Sequence, residues 1–460
     1  MRFLPLLALV ACRPATQING DLDDVEVTFS DIVPVPTVSW QGEPGSAWVA
    51  FGLGEALDQA TPAVETEDGA VEMPLFGLKA GQTYSFQVFN VVEGGRRLES
   101  GVGTIETPLP PADMPRLEVD AYVEDLADGF VLTSVVRDGP GYIFIVDRDG
   151  DYVWWFAPGD RVGVTSQKIS RDGTAILALI SDQEQTEDLG GIWRVDLAGR
   201  EAILTEAPLA HHDFVELPDD RYAWISLSTD EFVLDEEPLN IIGDRVLVRP
   251  IGSDDSEQLF DTFEDYQPPW RTCPHFDRGA YNIEGQDWTH GNALMYLEED
   301  DTLLMSLRNA DTIVKLDAST GEVLWQLGGR FSDFTLTSGD PWKHAHMSQG
   351  WDGGVFLVDN GNHRDDQISR ITEYAWDTSD MTWRSVWTWR HPDEGFIIAG
   401  GDVRRMPSGD AMVSWSTLGT IQQVSPAGDV KWELRTGIGD LTGRVRWIED
   451  LYDLPLESER

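Results

Sequence analysis

One short motif recurs along the chain, and this repetition constrains the fold more than any other feature of the sequence. Each copy has a glycine at the end of a tight turn and a tryptophan four residues later, and each follows a short apolar run. The full copies are Gly150-Asp-Tyr-Val-Trp154, Gly321-Glu-Val-Leu-Trp325 and Gly428-Asp-Val-Lys-Trp432. A fourth, Trp193-Arg-Val-Asp-Leu-Ala-Gly199, carries Ile203 where the tryptophan would be. A chain of such units buries its apolar faces by packing equivalent units against each other.

A second turn recurs upstream of these motifs, and a strongly apolar run follows it each time. Its copies are Arg171-Asp-Gly173, Pro218-Asp-Asp220, Glu299-Asp-Asp301, Asp352-Gly-Gly354 and Ser408-Gly-Asp410. Each unit therefore consists of two hairpins, or four strands. The units span roughly 115–160, 165–205, 210–265, 290–327, 345–390 and 400–436. Units of about 55 residues suit the blades of a six-bladed β-propeller, and the strand-like tail Gly443–Leu451 is expected to close the ring.

The segment before the repeats has a different pattern. Residues 25–107 contain short alternating or β-branched runs that Gly, Pro and Asp clusters separate. The stretch from Leu78 to Val88 resembles the fibronectin type III pattern, in which a tyrosine, here Tyr84, caps a corner before a long strand. The expected fold class is thus all-β. It comprises a fibronectin III-like β-sandwich over 25–107, a Pro-rich linker over 108–114 and a six-bladed propeller over 115–460.

The first residues are predicted to direct export rather than to form part of the fold. Met1-Arg2 precedes the apolar run Phe3–Ala11 and then Cys12, and this run is too short to be a permanent membrane helix. Leu9-Val10-Ala11-Cys12 resembles the bacterial lipobox, whose cysteine is lipidated; the alternative is a plain signal peptide. We therefore predict a lipoprotein signal and tether over residues 1–24, with Cys12 as the lipidated residue and sole membrane anchor. Because Arg13 is not the aspartate that signals inner-membrane retention, the expected location is the outer membrane, facing the periplasm or the cell surface.

The charge balance excludes whole classes of partner. The chain has 81 Asp and Glu against 33 Lys and Arg, which gives a formal charge of −48. A nucleic-acid binder or a general binder of anionic membranes needs a basic face, so neither partner is expected. The two cysteines, Cys12 and Cys273, also exclude a disulfide scaffold and a cysteine-based zinc site.

The histidines are the most informative residues for function, because all eight lie between residues 211 and 391. His212 and His346 each lie eight residues before the recurring turn, and His290 lies eleven before it, with Asn292 at nine. These positions begin the innermost strands of three consecutive units. Inner strands of a propeller line the central channel and start at one face, so we expect these side chains to meet in an axial pocket.

Two kinds of site fit this set of residues. Three histidines can bind a metal such as zinc. Arg308, in Ser306-Leu-Arg-Asn309 at the end of the next strand, would oppose a dication and instead suits a tetrahedral oxyanion. The second alternative is therefore a site for a phosphate or sulfate ester, with one histidine as nucleophile or acid/base.

Several motifs together are similar to the bacterial arylsulfate sulfotransferase family. They are Asp287-Trp-Thr-His-Gly-Asn-Ala293, Ser306-Leu-Arg-Asn309, Gly321 to Gly329, His211-His-Asp213 and Phe356-Leu-Val-Asp-Asn-Gly361. The resemblance covers about 115–455. It implies an exported six-bladed propeller enzyme that moves a sulfuryl group from a phenolic sulfate ester to a phenol acceptor. It also implies a ping-pong mechanism through a sulfohistidine, without a nucleotide donor, a metal or another cofactor.

The resemblance also implies roles for individual residues. The sulfated histidine precedes an apolar strand that ends in Asp-Asn-Gly, which indicates His346, with His344 as the rival. His290 and Arg308 would hold the sulfate oxygens, and Asn292 would assist them.

The histidine pair in the His-His-Asp motif is implied to complete the site. His212, or its neighbour His211, would be a further sulfate ligand or a proton shuttle, and Asp213 would orient it.

Two other functions compete with this hypothesis. The stretch from Leu316 to Trp325 resembles the tryptophan-docking repeat of quinoprotein dehydrogenase propellers, although those have eight units. The other alternative is a non-catalytic surface propeller that binds glycans or proteins, which would not need three histidines and an arginine in its channel. The sequence does not determine the oligomeric state.

Overall fold

The structure of the protein is a computed structural model. It describes residues 22, 24–92, 94–123, 126–136, 141–159, 162–181, 190–234, 237–266, 283, 285–391, 395–437 and 441–455. The chain forms two compact units, Met1–Pro110 and Pro111–Arg460, and the division falls inside the predicted linker. Among the described residues, no helix has the length and apolar character needed to cross a bilayer.

The first unit consists of nine strands in two sheets, counted over its described residues. The strands are β1 (Glu26–Phe29), β2 (Pro36–Gly42), β3 (Gly45–Leu53), β4 (Gln59–Ala60), β5 (Val64–Thr66), β6 (Gly69–Pro74), β7 (Thr83–Val92), β8 (Arg97–Glu99) and β9 (Gly103–Glu106). One sheet has the order β1-β2-β6. The other has the order β4-β3-β7-β8, with β5 paired to β3 and β9 paired to β7. The short alternating runs predicted over 25–107 thus form strands.

Both sheets of the first unit contribute to one apolar core, in which Val38, Trp40, Phe51 and Phe86 are buried. Alternation along the strands produces this core, because every second side chain of β2 and β3 faces inward. Tyr84 is 3 % exposed, and its hydroxyl accepts a hydrogen bond from the backbone N–H of Lys79 at 2.8 Å. This contact fixes the corner before β7.

In its described residues the second unit consists of strands β10 to β36, one short helix, α1 (Thr262–Asp265), and two single 3₁₀ turns, Arg308–Ala310 and Ser416–Leu418. The strands up to residue 261 are β10 (Glu118–Tyr122), β11 (Phe130–Val136), β12 (Tyr142–Val146), β13 (Tyr152–Phe156), β14 (Gly163–Ile169), β15 (Ala175–Ser181), β16 (Gly191–Asp196), β17 (Ala202–Glu206), β18 (Ala210–Leu217), β19 (Arg221–Leu234), β20 (Glu237–Pro250) and β21 (Glu257–Asp261). The strands up to residue 359 are β22 (Gln286–Asp287), β23 (Gly291–Leu297), β24 (Thr302–Leu307), β25 (Thr312–Asp317), β26 (Val323–Leu327), β27 (Thr335–Ser338), β28 (Ala345–Trp351) and β29 (Gly354–Asp359). The remaining strands are β30 (Arg370–Asp377), β31 (Thr382–Arg390), β32 (Asp402–Arg405), β33 (Ala411–Trp415), β34 (Thr420–Val424), β35 (Val430–Arg435) and β36 (Leu441–Ile448).

These strands form six sheets over the described residues. Their orders are β36-β11-β12-β13, β14-β15-β16-β17, β18-β19-β20-β21 with β22 on β20, β23-β24-β25-β26, β28-β29-β30-β31-β27 and β32-β33-β34-β35-β10. The first strand of each sheet contacts the first strand of the next, in the cycle β36, β14, β18, β23, β28, β32 and back to β36. Sheets that pack around a common axis through their first strands form a β-propeller.

The two ends of the unit complete each other's sheets. The tail strand β36 pairs with β11 in the first sheet, from Phe130 opposite Ile448 to Val136 opposite Leu441, as the strand-like tail predicted. The first predicted unit, 115–160, is not confined to one sheet, because β10 joins the last sheet by pairing with β35. Two separate pairings therefore close the ring.

The recurring tryptophans pack between neighbouring sheets. Trp154 and Trp432 are almost fully buried, and each indole N–H donates to a backbone carbonyl of the next sheet. The acceptors are Leu197, at 3.0 Å, and Arg148, at 2.8 Å. The motif glycine supplies the left-handed turn before each of these strands, with a φ of 84° at Gly150. The repeat that predicted the fold is therefore a packing device between sheets.

Candidate functional site

Three histidines occupy equivalent backbone positions where the inner strands of three neighbouring sheets begin. His212 lies in β18, His290 directly precedes β23 and His344 directly precedes β28. Their φ angles are 57°, 52° and 53°. Left-handed backbone is uncommon for a residue other than glycine and tends to occur at functional sites. In the third sheet the residue with left-handed backbone is His344, whereas the spacing to the recurring turn had paired His346 with His212 and His290.

The rings of His212, His290 and His346 form a compact cluster. The ring centroid of His212 lies 4.9 Å from that of His290 and 6.2 Å from that of His346. These side chains come from three different sheets, and the start of the inner strand brings each of them to the same place. The structure therefore brings together the three histidines that the sequence assigned to one axial pocket.

His344 lies beside this cluster and has different neighbours. Its ring packs edge-on against His363, with the centroids 4.6 Å apart. Its backbone N–H donates to Asp311 Oδ1 at 2.7 Å, which holds the loop before β28 in place. Among the described residues, the buried Nδ1 atoms of His344 and His346 have no hydrogen-bond partner. Unpaired buried nitrogens of this kind are available to a ligand.

Arg308 begins the 3₁₀ turn that follows β24, and its guanidinium is anchored on both sides. Nη1 donates to Asn309 Oδ1 at 3.1 Å, and Nη2 donates to the carbonyl oxygen of Ile398 at 3.0 Å. The positive charge of Arg308 acts on His344 and His346, where it disfavours protonation. The predicted arginine is therefore part of the same site.

Asn292 connects two of the strands that carry the histidines. It is completely buried, and its Nδ2 donates to the carbonyl oxygen of Ala345 at 2.9 Å. Its Oδ1 is buried with no hydrogen-bond partner in the described part of the chain. The bond fixes Asn292 next to the residue that precedes His346.

Burial and nearby cations hold three histidines of the site neutral. Burial, with further contributions from Arg444 and Arg308, lowers the pKa of His346 to about 3. Burial and then Arg308 lower the pKa of His344 to about 2. The pKa of His212 is lowered well below its usual value by burial and by the neighbouring His290, His211 and His346. A neutral imidazole keeps a lone pair, so these residues can act as nucleophiles or bases near pH 7.

Two carboxylates stand behind the histidines. Asp287 Oδ2 lies 2.6 Å from His290 Nδ1. Asp244 Oδ1 lies 3.1 Å from His211 Nε2. Sequence reasoning assigned neither of them. Asp287 could have been predicted from the sequence, because it is the first residue of the motif that contains His290. Asp244 could not, because it lies on strand β20, far from His211 in the sequence and outside every recurring motif.

Asp213 has a different environment from the one predicted. Its Oδ1 accepts from Ser166 Oγ at 2.9 Å and lies 3.3 Å from Lys168 Nζ, and its Oδ2 lies 2.8 Å from Arg444 Nη2. Burial raises the pKa of Asp213, but Arg444 and Lys168 outweigh it and hold the pKa at about 2. The contact that orients His212 comes instead from His211, whose Nδ1 lies 2.9 Å from His212 Nδ1.

The metal alternative has to be tested on the ligand atoms. In the described part of the chain, the group whose ligand atoms lie close enough to share an ion is Asp147, Asp149 and Asp151, on an exposed turn. Asp147 Oδ1 there already accepts the backbone N–H groups of Asp149 and Asp151, as in an ordinary turn. The histidine cluster, by contrast, has Arg308 beside it, which favours an anion.

The predicted lipidation residue Cys12, the second cysteine, Cys273, and one of the eight histidines, His275, lie outside the described residues.

Comparison with known proteins gives a family match. Residues 118–439 match the family model described as Arylsulfotransferase (ASST). The comparison with curated proteins finds no match.

Several solved structures are similar to the chain. The periplasmic gluconolactonase of Pseudomonas aeruginosa has 12 % identity and a TM-score of 0.37, covering 71 % of this chain and 99 % of that one. A catalytically inactive virginiamycin B lyase from Staphylococcus aureus with quinupristin has 11 % identity and a TM-score of 0.36, covering 72 % of this chain and 98 % of that one. Apo AztD from Citrobacter koseri has 10 % identity and a TM-score of 0.34, covering 70 % of this chain and 99 % of that one.

Proposed function

The chain belongs to the arylsulfotransferase family, and from this we propose that it transfers a sulfuryl group from a phenolic sulfate ester to a phenol. The transfer proceeds in two steps through a sulfohistidine, and it needs no nucleotide donor. One observation carries the proposal. The ring centroids of His290 and His346 lie 4.9 Å and 6.2 Å from that of His212, and Arg308 lies next to this cluster.

His346 is the nucleophile in this proposal. Its low pKa keeps the imidazole neutral, so that a lone pair can attack the sulfur atom and expel the phenoxide. His346 belongs to the ring cluster around His212, whereas the ring of His344 packs on His363. That difference favours His346 over its rival, and His344 is then a substrate-binding residue.

The neighbouring groups stabilise the transferring sulfuryl group. By analogy with phosphoryl transfer, the transition state is loose and carries its charge on the peripheral oxygens. Arg308 is a fixed cation for these oxygens, and His290 and Asn292 complete the binding shell. Anchoring by Asn309 and the Ile398 carbonyl orients the guanidinium before the substrate arrives, which avoids a reorganisation cost during reaction.

Initial-rate kinetics test the proposal directly. The purified protein is mixed with nitrophenyl sulfate and a series of phenols, and nitrophenol release is followed by absorbance. We expect release that depends on the acceptor, with parallel double-reciprocal lines for a ping-pong mechanism. Absence of release with every acceptor, under conditions where the protein is folded, rejects the enzyme assignment. Intersecting lines reject the two-step mechanism alone.

We also propose that the six sheets of the second unit are six blades of one propeller and that the first unit is a fibronectin III-like sandwich. The cyclic contacts of the inner strands support the first part. The buried Tyr84, whose hydroxyl binds a backbone N–H five residues upstream, supports the second. An experimental structure with another blade number, or another strand topology before residue 108, contradicts the corresponding part.

Export and lipidation complete the proposal. The apolar run Phe3–Ala11 followed by Cys12 supports a lipoprotein, and Arg13 in place of the retention aspartate supports a location in the outer membrane. Metabolic labelling with a fatty-acid analogue should mark the wild-type protein and leave Cys12→Ser unmarked. Equal labelling of the two proteins, or none in either, contradicts lipidation at this residue.

A further inference from the structure

We propose that Asp244, His211 and His212 form a proton relay that gives a proton to the leaving phenoxide and takes one from the acceptor phenol. The inference rests on the proposed sulfuryl transfer, because a phenolic oxygen must gain a proton in one half-reaction and lose it in the other. In this relay His212 meets the substrate, whereas Asp244 and His211 act through it as positioning residues.

The first link joins Asp244 to His211. Both side chains are buried, at 2 % and 1 % exposure, and His211 Nε2 lies 3.1 Å from Asp244 Oδ1. Burial raises the pKa of Asp244, but His211, Thr289 and Gly291 outweigh it, so the carboxyl is ionised. An ionised carboxylate only accepts hydrogen bonds, so the relay assigns a proton to the His211 Nε2 that lies beside it.

The second link joins the two imidazoles. His211 Nδ1 and His212 Nδ1 are 2.9 Å apart, a distance at which one nitrogen donates a hydrogen bond to the other. When the proton is on His211, that ring is an imidazolium beside Asp244, and His212 presents Nε2–H as an acid. When it is on His212, both rings are neutral, and Nε2 of His212 presents a lone pair as a base.

The proton and charge balance of both half-reactions follows from these two states. In the first step the S–O bond of the donor breaks and an N–S bond to His346 forms. The proton on His212 Nε2 passes to the phenoxide, and the proton on His211 Nδ1 passes to His212 Nδ1. In the second step the N–S bond breaks and an S–O bond to the acceptor forms. The phenol proton then passes to His212 Nε2, and the proton on His212 Nδ1 returns to His211 Nδ1, which restores the starting state.

The relay has the advantage that it places the positive charge of the extra proton on His211 rather than on His212. A full positive charge on His212 would face His290, His346 and Arg444, and burial disfavours it further. On His211 the same charge lies beside the carboxylate of Asp244 instead. The relay thus keeps the second cation of the site out of the histidine cluster while the proton stays within reach.

Asp244 also has a structural contact, which the test has to separate from the relay. Its Oδ2 accepts the backbone N–H of Gly291 at 2.7 Å and the hydroxyl of Thr289, the residues on both sides of His290. Loss of the carboxylate could therefore displace His290. Asp244→Asn keeps the shape and an acceptor oxygen but removes the charge that supports an imidazolium on His211.

The leaving group provides the discriminating measurement. Turnover of wild type, Asp244→Asn and His211→Gln is measured with aryl sulfates whose phenols differ widely in acidity. Because dinitrophenoxide needs no proton and unsubstituted phenoxide does, both variants should lose about 10²-fold or more with phenyl sulfate and much less with dinitrophenyl sulfate. An equal loss with every donor overturns the relay and leaves Asp244 a structural role.

A matched control comes from Asp402, another completely buried carboxylate of the second unit. Its ion pairs run to Arg404, Arg444 and Arg446. Asp402→Asn should lower the rates with all donors by one common factor. A leaving-group dependence in Asp402→Asn as steep as in Asp244→Asn overturns the assignment to the histidine pair.

A spectroscopic arm separates failure of the relay from failure of the proposed function. ¹⁵N-histidine spectra of the wild type, assigned with His211→Gln and His212→Gln, should show a protonated Nε2 on His211. Asp244→Asn should shift the ring resonances of both His211 and His212. Unchanged His212 resonances overturn the relay, whether or not the protein turns over a sulfate ester. If the wild type turns over none but the shifts occur, the proton pair is supported and only the proposed substrate fails.

Discussion

Arg444 Nη2 lies 2.8 Å from Asp213 Oδ2, and the two side chains are almost completely buried, at 2 % and 0 % exposure. Arg444 belongs to the closing strand β36, whereas Asp213 directly follows His212 in β18. The same guanidinium donates to the carbonyl oxygens of Asn292, at 3.2 Å, and Met347, at 3.4 Å. One arginine therefore connects closure of the ring to the three inner strands that carry the candidate site.

Arg444→Met should destabilise the protein strongly. The substitution removes the cation that Asp213 and Asp402 share and leaves only Lys168 beside Asp213, and removal of one partner of a buried pair typically costs about 3–5 kcal/mol. Urea denaturation measures this loss as a lower free energy of unfolding. Arg221→Met is the control, because Arg221 and its partner Asp219 are 31 % and 57 % exposed. It should cost less than about 1 kcal/mol, and an equal effect of both substitutions contradicts the role of Arg444.

Stability should fall as the pH drops, in part because of His346. The pKa of this side chain is about 3 in the folded protein and 6.5 in the unfolded chain. Between these values the unfolded chain binds more protons, so acid favours unfolding, with a contribution of about 1.4 kcal/mol per pH unit from one such residue. The slope that His346 adds to the pH dependence disappears below its folded pKa and above its unfolded pKa, because the folded and unfolded chains then bind equal numbers of protons at this residue.

His346→Gln should therefore flatten the pH dependence of the unfolding free energy between about pH 4 and pH 6. Urea denaturation of the wild type and of His346→Gln at several pH values in this window measures the difference in slope. Parallel curves for the two proteins would show that His346 is not held neutral by the fold.

The repeats predicted the position of three site residues, because equivalent positions in the repeats of a propeller lie at equivalent places around its axis. His212, His290 and His346 lie at the starts of inner strands, and the inner strands converge on one axis. The left-handed backbone of His212, His290 and His344 was not predictable, since no residue type requires it there. The sequence also did not predict that β10 joins the last sheet, because its partner β35 lies more than 300 residues away.

The groups that support the site were beyond sequence reasoning for a related reason. Arg444 and Asp244 lie on strands without a recurring motif, and their partners are far away in sequence. A buried ion pair depends on the distance between two side chains, which composition and periodicity do not determine. Asp287 is the exception, because it lies three positions before His290 within one motif.

Arg308→Ala should lower kcat/KM by about 10²–10³-fold, the typical loss when one donor to a developing oxyanion is removed. Arg308→Lys should recover only part of this rate. A lysine keeps the charge but cannot contact Asn309 and the Ile398 carbonyl together as the planar guanidinium does. Kinetics with nitrophenyl sulfate measure both variants. Full activity of Arg308→Ala contradicts a role on the sulfate oxygens, and full recovery by lysine contradicts the role of the fork geometry.

The identity of the nucleophile is best tested by trapping the sulfated enzyme in the absence of acceptor. Incubation with nitrophenyl sulfate alone should add the mass of one SO₃ group to the wild type, and peptide mapping should place it on His346. His344→Ala should still form the adduct, because its ring packs against His363, outside the ring cluster of His212. His346→Ala should form none and release no burst of nitrophenol. An adduct on His344 in the wild type reverses the assignment, because the more strongly depressed pKa of His344 equally leaves it neutral near pH 7.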